Sequence, residues 1–387
     1  MRLDHTLSKA RSRGLTLVEL MVGITVAMIG LLVITAVLEN SSRHKRTTAS
    51  GADAQTSGAI ASHMIETDAR MAGYAISNSS LLGCEIYGYD EGASPARNFV
   101  FSFVPVTISA GVANDYGVPD NLTITYGTSD VGFSAPTLVQ AHNGNNANYK
   151  VSSRFGFHEG DLVVVAEQAD NFTPDATTFA PLAGANGISD CVLAQVTGVP
   201  GTPGQTDNII HNSGNYTNAL GQNVPARYNK PGGLGVSFST AAQVFNIGPL
   251  PVNVTYAVST SHQLTRINAV VDVAARSIGE NIVMLRAQYG KDTNSDGVVD
   301  TWDKTTPTTP ALWQQVVALH FAVVARSHAR ESTMVTGTSL QLWPDVTLPG
   351  GGTAAGQALA LSDEQRRYRY KVFHSLVPLR NMIWSNS

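Results

Sequence analysis

An apolar run follows a short polar leader at the start of the chain. Residues 15–38 are uncharged except for one carboxylate, Glu19. At 1.5 Å per residue, about 24 residues form a helix of roughly 36 Å, which is long enough to cross a bilayer. The leader, residues 1–14, carries four basic side chains, and basic flanks stay on the cytoplasmic side of a membrane. We therefore predict a membrane-spanning helix over residues 15–38.

The chain keeps a helical period beyond this run. No proline occurs before Pro95, so a helix is permitted throughout the segment. We expect one long helix from about residue 15 to about residue 72. The segment over residues 39–75 is its amphipathic continuation and packs one face on a globular domain. The apolar residues that carry the period in this half are Ile60, Met64 and Met71.

Two glycines interrupt the second half of this predicted helix. Gly51 and Gly58 each cost about 1 kcal/mol relative to alanine in a helix interior. A kink over residues 47–58 is therefore the alternative to a continuous helix.

Short apolar or alternating runs separated by turn residues predict a β-rich domain over residues 76–387. Residues 267–280 fit helix and strand equally, and residues 366–381 are expected to form a closing strand. The expected fold class is α+β, with a long N-terminal helix packed on a β-rich globular domain with long loops. The predicted strands cover residues 99–108, 121–126, 161–167, 191–197, 252–258, 281–289 and 316–326.

Composition and charge narrow the classes of function. Charged residues make up 14% of the chain, which is typical of an extracytoplasmic β domain. Removing the leader, with its net charge of +3, takes the formal charge from −4 to −7. A mildly acidic chain argues against binding to a phosphate backbone, and no nucleic-acid partner is expected.

No motif in the sequence predicts catalysis. Walker loops, Gly-x-Ser-x-Gly elbows and His-Glu-x-x-His motifs are all missing from the sequence. His320 and His328 are interpreted as strand or surface residues and not as metal ligands. We expect a protein that is not an enzyme.

The two cysteines, Cys84 and Cys191, both lie beyond the membrane helix. Neither has metal-binding spacing, and in an oxidising compartment we expect them to pair. A loop of this size would contribute roughly 4 to 5 kcal/mol in the chain-entropy model. Two buried free thiols are the alternative.

Residues 292–303 read Asp-Thr-Asn-Ser-Asp-Gly-Val-Val-Asp-Thr-Trp-Asp, with oxygen ligands at positions 1, 3, 5, 9 and 12 and glycine at position 6. This is the pattern of a calcium-binding EF-hand loop. The flanks are not helical, so we expect a calcium clip between β elements; a metal-free turn is the alternative. The predicted ligands are the side chains of Asp292, Asn294, Asp296, Asp300 and Asp303 and the carbonyl of Val298.

The junction between leader and apolar run reads Arg-Ser-Arg-Gly, then Leu-Thr-Leu-Val-Glu. It resembles the prepilin signature of type IV pilins and type II secretion pseudopilins. The resemblance implies that a prepilin peptidase cuts between Gly14 and Leu15 and that the new amino terminus on Leu15 is methylated. The family most often has Phe where this chain has Leu15. Glu19 matches the glutamate at the fifth mature position.

A carboxylate in a membrane helix costs roughly 2.5 to 3.5 kcal/mol and needs a partner. We expect Glu19 to pair with the cleaved amino terminus of an adjacent subunit, which would set the axial register between subunits. The alternative is a glutamate at a helix start, favoured by the helix dipole and reaching the interface.

Residues 68–85 and the last run, with its Arg-Arg-Tyr-Arg-Tyr and Leu-Arg-Asn segments, resemble the PilW family of minor pilins. The resemblance implies a type IV pilus minor pilin that initiates assembly in a tip or priming complex, with roles in pilus biogenesis, twitching motility and adhesion. Its implied partners are other minor pilins, the major pilin, a large tip adhesin, the prepilin peptidase and the inner-membrane assembly platform. The implied location is a single pass of the inner membrane with the globular domain in the periplasm, and then the pilus tip.

Two other functions fit parts of the sequence. A type II secretion minor pseudopilin of the J type shares the same helix chemistry. A secreted calcium-dependent adhesin or carbohydrate-binding domain would use the N-terminus merely as a signal.

Overall fold

The computed structural model describes residues 16–76, 82–112, 115–131, 135–167, 191–202, 204, 207–233, 235–348 and 353–385. Its helices are α1 (Leu17–Met71), α2 (Pro310–Gln314) and α3 (Arg380–Ser385), with a 3₁₀ turn at Gln365–Arg367. The first eleven strands are β1 (Glu85–Asp90), β2 (Arg97–Ser102), β3 (Val106–Ser109), β4 (Asn121–Tyr126), β5 (Asn148–Lys150), β6 (Leu162–Ala166), β7 (Cys191–Gln195), β8 (Asn208–Ile210), β9 (Asn215–Thr217), β10 (Asn223–Pro225) and β11 (Gln243–Gly248). The remaining strands are β12 (Val252–Val258), β13 (Gln263–Asn268), β14 (Asp272–Glu280), β15 (Ile282–Lys291), β16 (Thr301–Asp303), β17 (Val316–Arg326), β18 (Ser339–Trp343), β19 (Val346–Thr347), β20 (Thr353–Ala354), β21 (Gln357–Ala360) and β22 (Tyr370–Pro378).

Helix α1 runs without interruption for 55 residues. Thr16 is its N-cap, and the chain leaves the helix at Ala72, ahead of Gly73 with φ +81°. The helix passes through both Gly51 and Gly58 without a break. This confirms one long N-terminal helix.

Among the described residues, three sheets of four or five strands follow the helix, together with four two-stranded sheets. The distal sheet has the order β11-β6-β7-β1-β2, the middle sheet β14-β13-β12-β4-β3, and the proximal sheet β16-β15-β17-β22. Their neighbouring strands are antiparallel except β1 and β7, which are parallel. The fold is therefore α+β, as predicted.

The main core lies between α1 and the middle and proximal sheets. It joins one face of the helix to fully buried side chains of both sheets, such as Tyr256 and Phe321. Two further clusters occupy the faces of the distal sheet. A fourth lies where Trp343 and Leu359, from the β18 and β21 hairpin, pack on the proximal sheet.

The strand predictions differ in accuracy. Strands β4, β12 and β17 have the predicted bounds, whereas the predicted strand 99–108 is two strands, β2 and β3, because the chain bends at residues 103–105. The ambiguous segment 267–280 contains the end of β13, a turn and β14, and no helix. The closing run 366–381 was predicted as strand throughout, and its ends are wrong: a 3₁₀ turn precedes β22 and helix α3 follows it.

Candidate functional site

The N-terminal half of α1 is exposed along its apolar stretch. Residues Leu17–Ser42 form 26 helical residues that are long and apolar enough to cross a membrane, and the span is not buried against the rest of the chain. Its length of about 39 Å exceeds the roughly 30 Å of a hydrocarbon core. A signal sequence near an N-terminus meets the same criterion. The motif at the start of the helix therefore has to separate the two.

Glu19 lies in the first turn of this helix, in a capping box. The Glu19 N–H donates to the Thr16 hydroxyl at 3.2 Å, and the Thr16 N–H donates to the Glu19 carboxylate at 3.0 Å. The Thr16 hydroxyl also donates to the same carboxylate at 3.0 Å. This reciprocal arrangement satisfies N–H groups that have no partner inside the helix. Thr16 is absent from the sequence-based site, although its spacing from Glu19 is a capping signal that the sequence carries.

The capping box neither requires nor prevents the predicted contact between subunits. The Glu19 side chain is exposed on the helix, where a second subunit can reach it. Its pairing with a neighbour's amino terminus stays a prediction. Gly14 and Leu15, the residues of the predicted cleavage bond, lie outside the described residues.

The second half of α1 docks on the sheets through small side chains. Ala54, Ala61, Ile65 and Ala69 are almost completely buried and recur at helical spacing. Gly58 lies between them, where a Cβ would overlap the ring of Phe373 and come within 3.1 Å of the Ala325 Cβ. The close approach of helix and sheet thus requires glycine at this position.

Hydrogen bonds tie both ends of the docked half to the β domain. The Ala329 N–H donates to the Ser50 hydroxyl at 2.9 Å. About 30 Å further along the helix, the Asn381 amide donates to the carbonyls of Met71 and Ala72 at 3.2 and 3.1 Å. The first bond comes from the loop after β17 and the others from α3, so the docked half is held at both of its ends.

A polar cluster around Asp68 fastens the helix to the middle sheet. The hydroxyls of Tyr126 and Tyr256 donate to its two carboxylate oxygens at 2.8 and 2.5 Å, and Arg266 lies 3.2 Å away. Burial, and then the negative charge of Asp68, raise the pKa of Tyr256 above its ordinary value. The carboxylate is buried but paired, as a charge in this position must be.

The predicted disulfide between Cys84 and Cys191 is confirmed. The two Cα atoms are 6.0 Å apart, and both residues are fully buried in the core of the distal sheet. Cys191 begins β7 and aligns with Ile86 of the parallel neighbour β1. The bond therefore joins β7 to the residue just before its neighbour β1, across 107 positions of the chain.

The predicted calcium loop connects β15 and β16 in a hairpin, as expected for a clip between β elements. Its first half has the turn geometry of the pattern. The Asp292 carboxylate accepts the N–H groups of Asp296 and Gly297 at 3.2 and 2.8 Å, and Asn294 accepts the Asp296 N–H at 3.0 Å. Gly297 has φ +83°, which favours glycine at position 6.

The second half of the loop is engaged elsewhere. Asp300 accepts hydrogen bonds from Thr293, and Asp303 accepts them from the Lys291 ammonium and the Thr305 N–H at 2.6 and 2.7 Å. In the described part of the chain, no three Asp, Glu, His or Cys side chains are arranged to hold a metal ion. The calcium site therefore stays a prediction. Asp303 departs most from it, because its carboxylate already accepts hydrogen bonds from Lys291 and Thr305.

His320 is a core residue of β17. It is buried, its ring lies 4.6 Å from that of Trp343, and burial lowers its pKa to about 4. His328 is exposed in the loop after β17. Both positions agree with the interpretation of these histidines as strand and surface residues.

Two protein families match parts of the chain. Residues 9–35 match the prokaryotic N-terminal methylation motif, and residues 254–381 match the type IV pilus-assembly protein W family, PilW. The first match covers the cleavage junction and Glu19. The second covers the proximal sheet and the middle-sheet strands β12 to β14, but not β3 and β4. No curated protein and no solved structure matches the chain.

Proposed function

Because this chain is a minor pilin of the PilW type, related to the type IV pilus, we propose that it initiates pilus assembly as part of a tip or priming complex. In this role it supports pilus biogenesis, twitching motility and adhesion. A globular part as large as residues 76–387 is difficult to repeat along a thin fibre, whereas a cap tolerates that bulk. PilW proteins are structural pilus components, and the proposed role requires no catalysis.

One observation carries the proposal. The exposed apolar stretch Leu17–Ser42 carries the carboxylate of Glu19 in its first turn and continues without a break into a half that has one face docked on the middle and proximal sheets. A cleavable signal would have no need of an uninterrupted connection to the folded domain. A helix that must leave the bilayer together with its domain does need one.

The proposed path starts in the inner membrane, with the N-terminus in the cytoplasm and the β domain in the periplasm. The prepilin peptidase cuts between Gly14 and Leu15, and Leu15 is methylated. Glu19 then pairs with the amino terminus of a neighbouring subunit, which offsets the cost of a carboxylate in lipid. Through this helix the protein joins other minor pilins and the major pilin at the inner-membrane assembly platform, and a large tip adhesin completes the complex.

We also propose that the loop over residues 292–303 binds calcium. The N–H groups that Asp292 accepts, the Asx turn at Asn294 and the left-handed Gly297 support it. Asp300 and Asp303 would have to exchange their present partners for the ion. Bound calcium would hold the loop that connects β15 and β16 at the edge of the proximal sheet.

Mass spectrometry of the mature N-terminus tests the pilin assignment. Cleavage after Gly14 with methylated Leu15 is expected, whereas loss of the whole apolar run would show a secretory signal and overturn the assignment. A deletion strain tests the role in the pilus. We expect loss of surface pili and twitching with normal protein secretion; intact piliation with defective type II secretion would favour a J-type pseudopilin.

A further inference from the structure

Basic side chains gather where the proximal sheet meets the helix. They come from the end of β17, the loop after it and the start of β22. We call residues 326–331 and 363–371 the proximal basic surface. Its six basic residues outnumber its three acidic ones, although the whole chain carries a formal charge of −4. The basic residues are Arg326, Arg330, Arg366, Arg367, Arg369 and Lys371.

The fold places this surface at the end of the docked helix nearest the apolar span. Ala329 is hydrogen bonded to Ser50, and Ala325, which pairs with Lys371, lies beside Gly58. Ser50 is eight residues beyond Ser42, where the apolar span ends, which corresponds to about 12 Å of helix. Long basic side chains bridge most of that distance.

Ion pairs within the surface do not neutralise its net positive charge. Glu364 pairs with Arg330 and Arg367, Asp363 with Arg366, and Glu331 with Arg369. Lys371 is exposed at the start of β22. Lys45 is exposed on the helix between the span and Ser50 and adds to the same field.

We propose that the proximal basic surface binds the anionic phospholipid headgroups of the bilayer that the helix spans. Each Lys or Arg close to an anionic bilayer strengthens attraction about fivefold, and the effect fades within a Debye length of about 8 to 10 Å. The inference rests on the membrane span of the proposed function. It adds that the β domain is held against the membrane before the protein is extracted into a pilus.

Distance from the bilayer also distinguishes this surface from the other basic residues of the domain. Basic residues at other heights on the domain are far from the bilayer. Arg276 pairs with Arg266, which contacts Asp68, and Asp68 lies about 27 Å beyond Ser50 along the helix. The charges of the proximal basic surface lie nearer the lipid surface than this level, and those closest to Ser50 sense it most strongly.

Lysine acetylation of the full chain in lipid nanodiscs tests the proposal. One disc contains phosphatidylcholine alone, and the other includes phosphatidylglycerol. We expect acetylation of Lys371 to fall several-fold in the anionic disc and to recover at high salt, while Lys150, exposed on the distal β5, is unchanged. Acetylation of Lys371 that is equally high in both discs overturns the proposal. Acetylation that is equally low in both also overturns it and would assign the surface to a neighbouring subunit.

Matched double variants separate surface charge from folding. R330Q/K371Q removes one exposed lysine and one arginine paired with Glu364, and K150Q/R276Q removes one exposed lysine and one arginine paired with Asp272. Hydrogen exchange of residues 327–336 in the anionic disc should rise in the first variant and stay unchanged in the second. Exchange that is alike in both variants contradicts the proposal. Flotation with both kinds of vesicle reports the membrane span separately, so its failure is distinguishable.

Discussion

The ring of Phe373 lies where a side chain on Gly58 would begin. Gly58 belongs to the helix and Phe373 to β22, so this contact sets how closely helix and sheet approach. It also reverses the role that helix propensity assigns to the glycine. A residue that weakens an isolated helix is the one that permits this helix to dock.

Replacing Gly58 by alanine should therefore destabilise the protein. Alanine favours the helix by about 1 kcal/mol, but overpacking a core costs typically 1–3 kcal/mol, and the new Cβ would overlap the Phe373 ring and crowd the Ala325 Cβ. Gly51→Ala is the matched control, because its Cβ meets no atom within 4 Å and should stabilise the helix. Denaturant unfolding of the full chain in detergent measures both. Equal stabilisation by the two variants would contradict the packing argument.

Glu19→Ala should be processed normally but fail to enter the assembled complex, because it removes the charge that pairs with a neighbouring subunit. Thr16→Val is the control, since it breaks the side-chain half of the capping box and keeps the carboxylate. We expect it to assemble, at a cost of about 1 kcal/mol in helix stability. Immunoblots of leader cleavage and of sheared pili distinguish the two steps. Normal incorporation of the alanine variant would show that the carboxylate is dispensable.

Calcium should raise the thermal stability of the protein, and a chelator should reverse the rise. With the affinities of roughly 10⁻⁴ to 10⁻³ M typical of extracellular modules, 1 mM calcium would add about 0.4 to 1.4 kcal/mol. Asp296→Asn should abolish the response to calcium. Asp53→Asn, at an exposed position of α1, should leave the response intact. A melting temperature that is unchanged in millimolar calcium would reject the site.

Stability should fall as the pH drops below about 6.5. Burial lowers the pKa of His320 to about 4, so the folded state holds this imidazole neutral, while the unfolded chain takes up a proton. Its contribution is present above the unfolded pKa and is lost as the pH falls towards 4. His211, with a pKa lowered by burial to about 3, acts in the same direction. His320→Gln should flatten the pH dependence of unfolding between these limits; an unaltered slope would show that other groups dominate.

Local pattern was sufficient for the elements whose signal is periodic. The long helix and the strands β4, β12 and β17 follow from spacing and alternation, and the disulfide follows from having two cysteines in one compartment. The bend at residues 103–105 separates two strands that read as one apolar run. Its position is set by packing and not by the alternation of side chains.

Long-range contacts explain what the sequence could not reveal. The partner of Gly58 stands 315 positions later in the chain, and no pattern around the glycine points to it. The Asp68 cluster draws on Tyr126, Tyr256 and Arg266 from three strands. In the calcium loop, Lys291 precedes the pattern and competes for Asp303, an interaction that the ligand positions do not encode.

The unbroken passage of α1 from the apolar span into the docked half fixes an angle as well as a distance. Each residue turns an α-helix by about 100°, so the residues between Ser42 and Ser50 determine which way the β domain faces around the helix axis relative to Glu19. Inserting a single residue there would lengthen the protein by about 1.5 Å but would rotate the whole domain by more than a quarter turn. The helix thus sets the orientation of the domain relative to Glu19, where we propose the contact with a neighbouring subunit.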